Sequence, residues 1–303
     1  MDYAIETRGL SRRFGRTDAV IDLTLQVPAG SIFAFVGPNG AGKTTTIKAL
    51  MNLIAPSSGA ASVLGVDSRR LGPATLARIG YVSENQELPA WMTIAQLMDY
   101  CQPFYPTWDA ALAGDLARQL ELPLGRPIRA CSRGMAMKAA LLVSLAYRPE
   151  LLVMDEPFAG LDAFVREEFS TGVLELAGQE RPWTVFVSSH DVDEVERLAD
   201  WIGVINQGRL VLAEPVVSLL ARFRRVEVLV DEVARVPDGL PPAWLGVKAA
   251  GRAVEFVDSA FDETDLRARV GALVPEARDL TVAPMSLRDI FIALARMFRL
   301  AER

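Results

Sequence analysis

One stretch, Gly37-Pro-Asn-Gly-Ala-Gly-Lys-Thr-Thr45, limits the possible folds of this chain more than any other. An apolar run, Ser31-Ile-Phe-Ala-Phe-Val36, precedes it and reads as a buried strand. Lys43 to Ile54 follows and reads as a helix stopped by Pro56. Gly37, Gly42, Lys43 and Thr44 match the template of Gly, four residues, Gly-Lys-Ser/Thr between a strand and a helix. The residue types suit an anion. Glycines let the backbone of Gly37, Pro38, Asn39, Gly40, Ala41 and Gly42 curl around phosphate, and the helix start adds partial positive charge. Lys43 is then placed to reach the β- and γ-phosphates, and the Thr44 hydroxyl, with Thr45 beside it, to ligate Mg²⁺. A turn that merely tightened a strand–helix junction would not need Lys-Thr at that offset. The chain is expected to bind a nucleoside triphosphate.

With 303 residues, one large or two ordinary domains are expected. The formal net charge of −6 gives no overall basic footprint, so nucleic acid is not the expected partner. Cys101 and Cys131 are the only two cysteines and supply no disulfide framework, as suits a reducing cytoplasm. No basic segment followed by an apolar core opens the chain, so no signal peptide is expected. No apolar run is long enough to span a bilayer, so a membrane role is expected to come through a partner chain.

Ala4 to Thr7 and Ala19 to Val27 read as strands, with Phe14 between them. Residue physics leaves two readings of Phe14 open: a core aromatic, or a flat face for an adenine ring. Ala61–Leu64 and Ile79–Val82 read as short strands, the second followed by Ser83-Glu-Asn-Gln86. From Thr93 to Arg148 the apolar spacing becomes helical and prolines punctuate it, which suggests a helical subdomain projecting from the sheet. Leu151-Leu-Val-Met-Asp155 and Thr184–His190 read as buried strands with polar ends, and a helix is predicted from Val192 to about Asp200. Such ends converge on a ligand in open α/β sheets. Strands at 202–205 and 209–213 close this part, and a boundary is expected near Pro215. Beyond it, four strands and two helices (264–273 and 286–298) suggest a smaller α+β domain.

Asp155 and Glu156 form a costly like-charged pair unless a cation sits nearby. With Mg²⁺ present the pair makes sense: Asp155 holds the ion directly or through water, and Glu156 deprotonates the water that attacks the γ-phosphate. His190, the only histidine, is positioned at a strand end to hydrogen-bond that phosphate and steady the water.

The ordered set of Phe14, loop 37–45, segment 79–86, Cys131-Ser-Arg-Gly-Met135, Asp155-Glu156, Gly160-Leu-Asp162 and His190 resembles the nucleotide-binding subunit of an ATP-binding cassette (ABC) transporter. The resemblance covers roughly residues 3–215. It implies an α/β P-loop NTPase fold, with an ATPase domain over 1–215 (helical subdomain about 88–148) and an accessory domain over 216–303. It also implies a dimer in which ATP lies between one phosphate loop and the other copy's Ser132 and Gly134. Phe14 then takes the adenine-stacking position, Asp162 the dimer seam, Glu156 the role of base and His190 that of switch. Two segments depart from the family's spelling. Its dimer-facing motif usually reads Leu-Ser-Gly-Gly-Gln, so Arg133 adds bulk and charge and Met135 removes an amide. The expected metal-sensing glutamine aligns with Glu84, with Gln86 two places later; either offers Mg²⁺ an oxygen. Ser286-Leu-Arg-Asp-Ile-Phe291 resembles a domain appended to some export-type bacterial ATPase subunits, which implies an accessory or dimer-stabilising role.

The expectation is an ATPase subunit at the cytoplasmic membrane face, using ATP and Mg²⁺. Its partners would be a second copy or a related subunit and an integral membrane permease, with export the expected direction. A cassette acting on nucleic acid or ribosomes is the principal alternative; the single phosphate loop and absence of sustained heptads count against it. A small-molecule kinase leaves segments 131–135 and 160–162 unexplained, and a non-hydrolysing regulator draws only on the altered dimer-facing motif.

Overall fold

Short runs with no polar residue on either face need cover on both sides, and here they form the inner strands of a largely parallel sheet. The structure, a computed structural model, describes residues 2–159, 161, 166–167, 171 and 183–301, with side chains to 297. It divides into two units, Met1–Ala213 and Glu214–Arg303.

In the first unit β1 (Tyr3–Phe14) and β2 (Thr17–Pro28) pair antiparallel, and β4 (Ser58–Val63) and β5 (Val66–Asp67) extend them into a four-stranded sheet. The six-stranded sheet comprises β3 (Ile32–Val36), β6 (Ile79–Ser83), β7 (Leu151–Asp155), β8 (Thr184–Ser189), β9 (Trp201–Asn206) and β10 (Arg209–Pro215). Its order is β10-β9-β3-β8-β7-β6. Every residue of β3, β7 and β8 is buried. Phe33, Phe35 and Phe186 stack through this core, with ring centroids 5.7 and 5.5 Å apart. The parallel register sets Val36 beside Ser189, Asp155 beside Ser188, and Ser83 beside Asp155. The carboxyl ends of four strands are therefore level along one edge.

Helix α1 (Lys43–Leu50) follows the phosphate loop, and α2 (Pro73–Leu76) is a single turn. The expected helix to Ile54 ends a turn early. Asn52 turns left-handed at φ 58, and the N–H groups of Leu53 and Ile54 both bond back to the Lys48 carbonyl.

The helical block consists of α3 (Ile94–Cys101), α4 (Ala110–Gln119) and α5 (Arg133–Leu145). Thr93 and Gln96 form a reciprocal capping box on α3, and Asp109 caps α4. Met137 through Leu145 are all buried, as suits a helix covered on every side by α3, α4 and β6. The predicted helix at 192–200 is corrected: a 3₁₀ turn, Val192–Glu194, is followed by turns. Val192, Val195 and Leu198 are buried as the periodicity required, but Ser189 and Asp191 side chains tie the backbone locally instead.

The second unit contains α6 (Val216–Arg222), β11 (Arg224–Val230), β12 (Trp244–Ala250), β13 (Ala253–Asp258), α7 (Glu263–Leu273), β14 (Ala277–Pro284) and α8 (Leu287–Ala301). Its sheet is antiparallel in the order β12-β13-β11-β14. Val226, Val228, Val254, Phe256, Leu266 and Val270 pack its core. Helix α6 lies where only a boundary was expected, with Pro215 at its N-cap position.

Candidate active site

The phosphate loop leaves β3 at Gly37, where the chain passes so close to β9 that a Cβ would sit 2.2 Å from the Ile205 carbonyl oxygen. At its other end Gly42 has φ +107, and a Cβ there would come within 2.4 Å of the Ala19 carbonyl oxygen. Neither position admits a side chain. The loop opens on a cleft of about 270 Å³, lined from this side by Asn39, Gly40, Gly42, Lys43, Thr44 and Thr45. Glu84, Glu156 and His190 face it from the strand ends, and Ala19 and Ala159 complete it.

Lys43 is buried, with Nζ donating to the carbonyl oxygens of Gly37 at 2.6 Å and Pro38 at 3.2 Å. The same ammonium lies 3.0 Å from Glu156 Oε1. Glu156 Oε2 lies 2.7 Å from His190 Nδ1 and accepts the His190 backbone N–H at 3.3 Å. Glu156 also sits in the left-handed region, at φ 51, which is unusual for a residue with a side chain. That turn takes the carboxylate out of the line of β7 and into the cleft. Burial pushes the Glu156 carboxyl upward, but the His190 hydrogen bond and the Lys43 charge outweigh it, so the group ionises below its ordinary value.

Asp155 behaves oppositely. Burial holds its carboxyl above the ordinary value, opposed by hydrogen bonds from the Ser188 hydroxyl at 2.8 Å and the Thr44 hydroxyl at 3.1 Å, both to Oδ1. Ser188 also accepts the Glu156 backbone N–H at 3.1 Å, so one hydroxyl fixes both acids. One turn on, the Ser189 hydroxyl and Arg166 hold the buried carboxylate of Glu194. Ser188 and Glu194 were not among the residues the sequence singled out. The signal for Ser188 was a hydroxyl closing an otherwise apolar strand.

Phe14 lies at the end of β1, well exposed, with the Arg12 guanidinium 4.4 Å over its ring. Glu84 follows β6 and donates its backbone N–H to the Asp155 carbonyl, while Gln86 accepts the Ser83 N–H with its side-chain oxygen at 3.3 Å. Ser132 caps α5, and Gly134 is buried in its first turn. Neither lines the cleft within this chain. Gly160 and Asp162 lie outside the described residues.

Among the described residues, no cluster of three or more His, Cys, Asp or Glu side chains is placed to hold a metal. One hydroxyl (Thr44) touching one carboxylate (Asp155), beside an opening for phosphates, suits Mg²⁺, which keeps several waters and shares its shell with substrate oxygens.

A parallel sheet whose strand ends gather a glycine-rich anion loop, a buried lysine and paired acids defines a P-loop nucleotide-binding protein. A family model described as ABC transporter matches residues 20–159. The bacitracin transport ATP-binding protein BcrA of Bacillus licheniformis is 32% identical over 227 residues, which cover 74% of this chain and 74% of that protein. The ABC transporter ATP-binding protein YtrB of Bacillus subtilis (strain 168) is 29% identical over 230 residues, covering 75% and 77%. Among solved structures, an ATP binding subunit of an ABC transporter matches with a TM-score of 0.65 at 24% identity, over 72% of this chain and 92% of that one. This chain belongs to the ABC transporter ATP-binding family, and it is an ATPase subunit that energises such a transporter.

Proposed function

We propose that this chain hydrolyses Mg·ATP with Glu156 as general base, and that the phosphate loop, Lys43 and Thr44 hold the triphosphate. The observation that carries the reading is the double engagement of Glu156, by Lys43 on one oxygen and His190 on the other, beside Asp155. An arriving triphosphate offers Lys43 stronger partners than one carboxylate. Lys43 then leaves Glu156 Oε1, which becomes available to accept a proton from water, while His190 keeps Oε2 oriented. Asp155 and Thr44, with Glu84 or Gln86, would hold Mg²⁺, which when bound neutralises charge developing on the phosphates. Phe14 would stack on adenine. Ser132, Gly134 and Asp162 would act at a seam with a second copy or a related subunit, since the first two do not reach the cleft of their own chain.

No helix among the described residues is long and apolar enough to cross a membrane, which favours a separate membrane permease as the element driven, with this subunit at its cytoplasmic face. Two relatives carry bacitracin transport names, which support a transport role, and we read its direction as export. The domain at 1–215 would carry the chemistry and that at 216–303 an accessory function. Mg²⁺-dependent phosphate release by the purified chain tests the reading. Lys43→Ala should weaken binding of a fluorescent ATP analogue by tenfold or more, on the order of the 1.5–3 kcal/mol of a charged hydrogen bond. Undiminished binding would remove Lys43 from the site.

A further inference from the structure

Arg133 and Glu84, two of the positions at which the chain departs from its family's spelling, meet in space. Arg133 Nη2 donates to Glu84 Oε1 at 2.9 Å, across 49 positions of sequence. Glu84 lines the nucleotide cleft, and Arg133 is the first residue of α5, the helix capped by Ser132. An arginine at that place has the wrong sign for a helix start, where the backbone is already partly positive. No acidic residue occupies the first turn of α5 to compensate it. The carboxylate that does so comes from the cleft.

We propose that the Glu84–Arg133 ion pair is a latch that Mg·ATP opens. This rests on the nucleotide reading above. Oxygen Oε1 of Glu84 serves either the guanidinium or a cation entering with the triphosphate. When Glu84 turns to that cation, Arg133 loses its partner. The start of α5, with Ser132 and Gly134, is released from the strand end at the same moment. Occupancy of the chain's own cleft is thereby signalled to the segment expected to meet a second copy. Arg133 is thus a positioning residue that acts through Glu84.

The side chains are 36% and 48% exposed, so solvent screens the pair and the latch sets affinity only severalfold. The apparent affinity for the cation scales with the fraction of Glu84 that is free. The test titrates Mg²⁺ into the full chain at fixed fluorescent ATP analogue and reads the half-saturating Mg²⁺ concentration. Arg133→Ala should lower it about two- to fivefold. Arg133→Lys, which keeps one charged donor, should stay near the unaltered chain. In an Glu84→Gln background, Arg133→Ala should produce no further change. An unchanged or raised half-point in Arg133→Ala, or the same fall with Glu84→Gln present, overturns the latch. Should thermal melting show that Arg133→Ala does not fold, Arg133→Gln takes its place with the same expected outcomes. Failure of the unaltered chain to bind the analogue at any Mg²⁺ concentration sinks both the nucleotide reading and the latch; binding without the shifts sinks the latch alone.

Discussion

Asp155 and Glu156 are neighbours whose surroundings drive their acidities apart, and each separation has a consequence for stability. Glu156 ionises below its ordinary value of 4.5, so its charged form stabilises the fold above that pH. The contribution is lost as pH falls through the lowered value. Asp155 ionises above its ordinary value of 3.8, so its charge costs stability at neutral pH, and the cost disappears as pH falls below 3.8. Asp155→Asn removes that cost while leaving an oxygen to accept from Thr44 and Ser188. The nucleotide-free variant should therefore melt at a higher temperature at pH 7 than the unaltered chain. Its thermal stabilisation by Mg·ATP should shrink in the same experiment. A lower melting temperature without nucleotide would show that burial does not dominate Asp155. Glu156→Gln keeps the shape that faces Lys43 and His190 but cannot take a proton. Turnover should fall about 10²–10⁴-fold with analogue binding retained, so phosphate release and binding measured together separate base from scaffold. The loop residues Gly37 to Thr45 were legible because one contiguous spelling dictates both conformation and chemistry. Ser188 and the left-handed turn at Glu156 were not, because each depends on what the neighbouring strands bring alongside.

Between elements, the packing of β6 on α5 decides where Glu84 and Arg133 stand. Gly80 in β6 lies so close to α5 that a Cβ would come 2.7 Å from the Ser144 carbonyl oxygen and 2.9 Å from Leu152 Cδ1. Backbone cannot yield there as a flexible side chain would. Gly80→Ala should cost about 1–3 kcal/mol, seen as a lower urea midpoint with an unchanged slope. A midpoint within error of the unaltered chain would mean that the helix slides without penalty. The strands of the sheet were legible because short apolar runs between turn signals have few other fates. The helix predicted at 192–200 was not a sound reading, although Val192, Val195 and Leu198 do turn inward. Apolar spacing reports which residues turn inward, and a 3₁₀ turn followed by irregular turns satisfies that as well as an α-helix does. Pro215 was read as a boundary, and it occupies the N-cap position of α6, since a proline's missing N–H is harmless at a helix start. The Glu84–Arg133 contact was beyond reach of sequence because it pairs residues from different elements, whose approach is fixed by Gly80 and the body of α5.

At the scale of the molecule, the cleft has a floor and one wall. The floor is the strand edge, the wall is the phosphate loop, and Ser132 and Gly134 of the same chain stay outside. A second copy supplying those residues would exclude water from the triphosphate and complete the site, which makes association depend on nucleotide. Hydrolysis would then dissolve the assembly, because the bound triphosphate is part of the joint. Glu156→Gln should stop the cycle before that step. Without nucleotide the variant should scatter light as a 33.0 kDa monomer, and with Mg·ATP as a dimer of twice that mass, about 66 kDa. Chelation of the metal should return it to the monomer. Ser132→Arg added to the same variant places a bulky cation at the proposed seam, and should leave analogue binding intact while abolishing the dimer. A chain that binds Mg·ATP yet remains monomeric in Glu156→Gln at concentrations well above saturation would show that this subunit does not close on itself. The missing wall would then belong to a different, related subunit, and mixing the two should produce the dimer that neither forms alone.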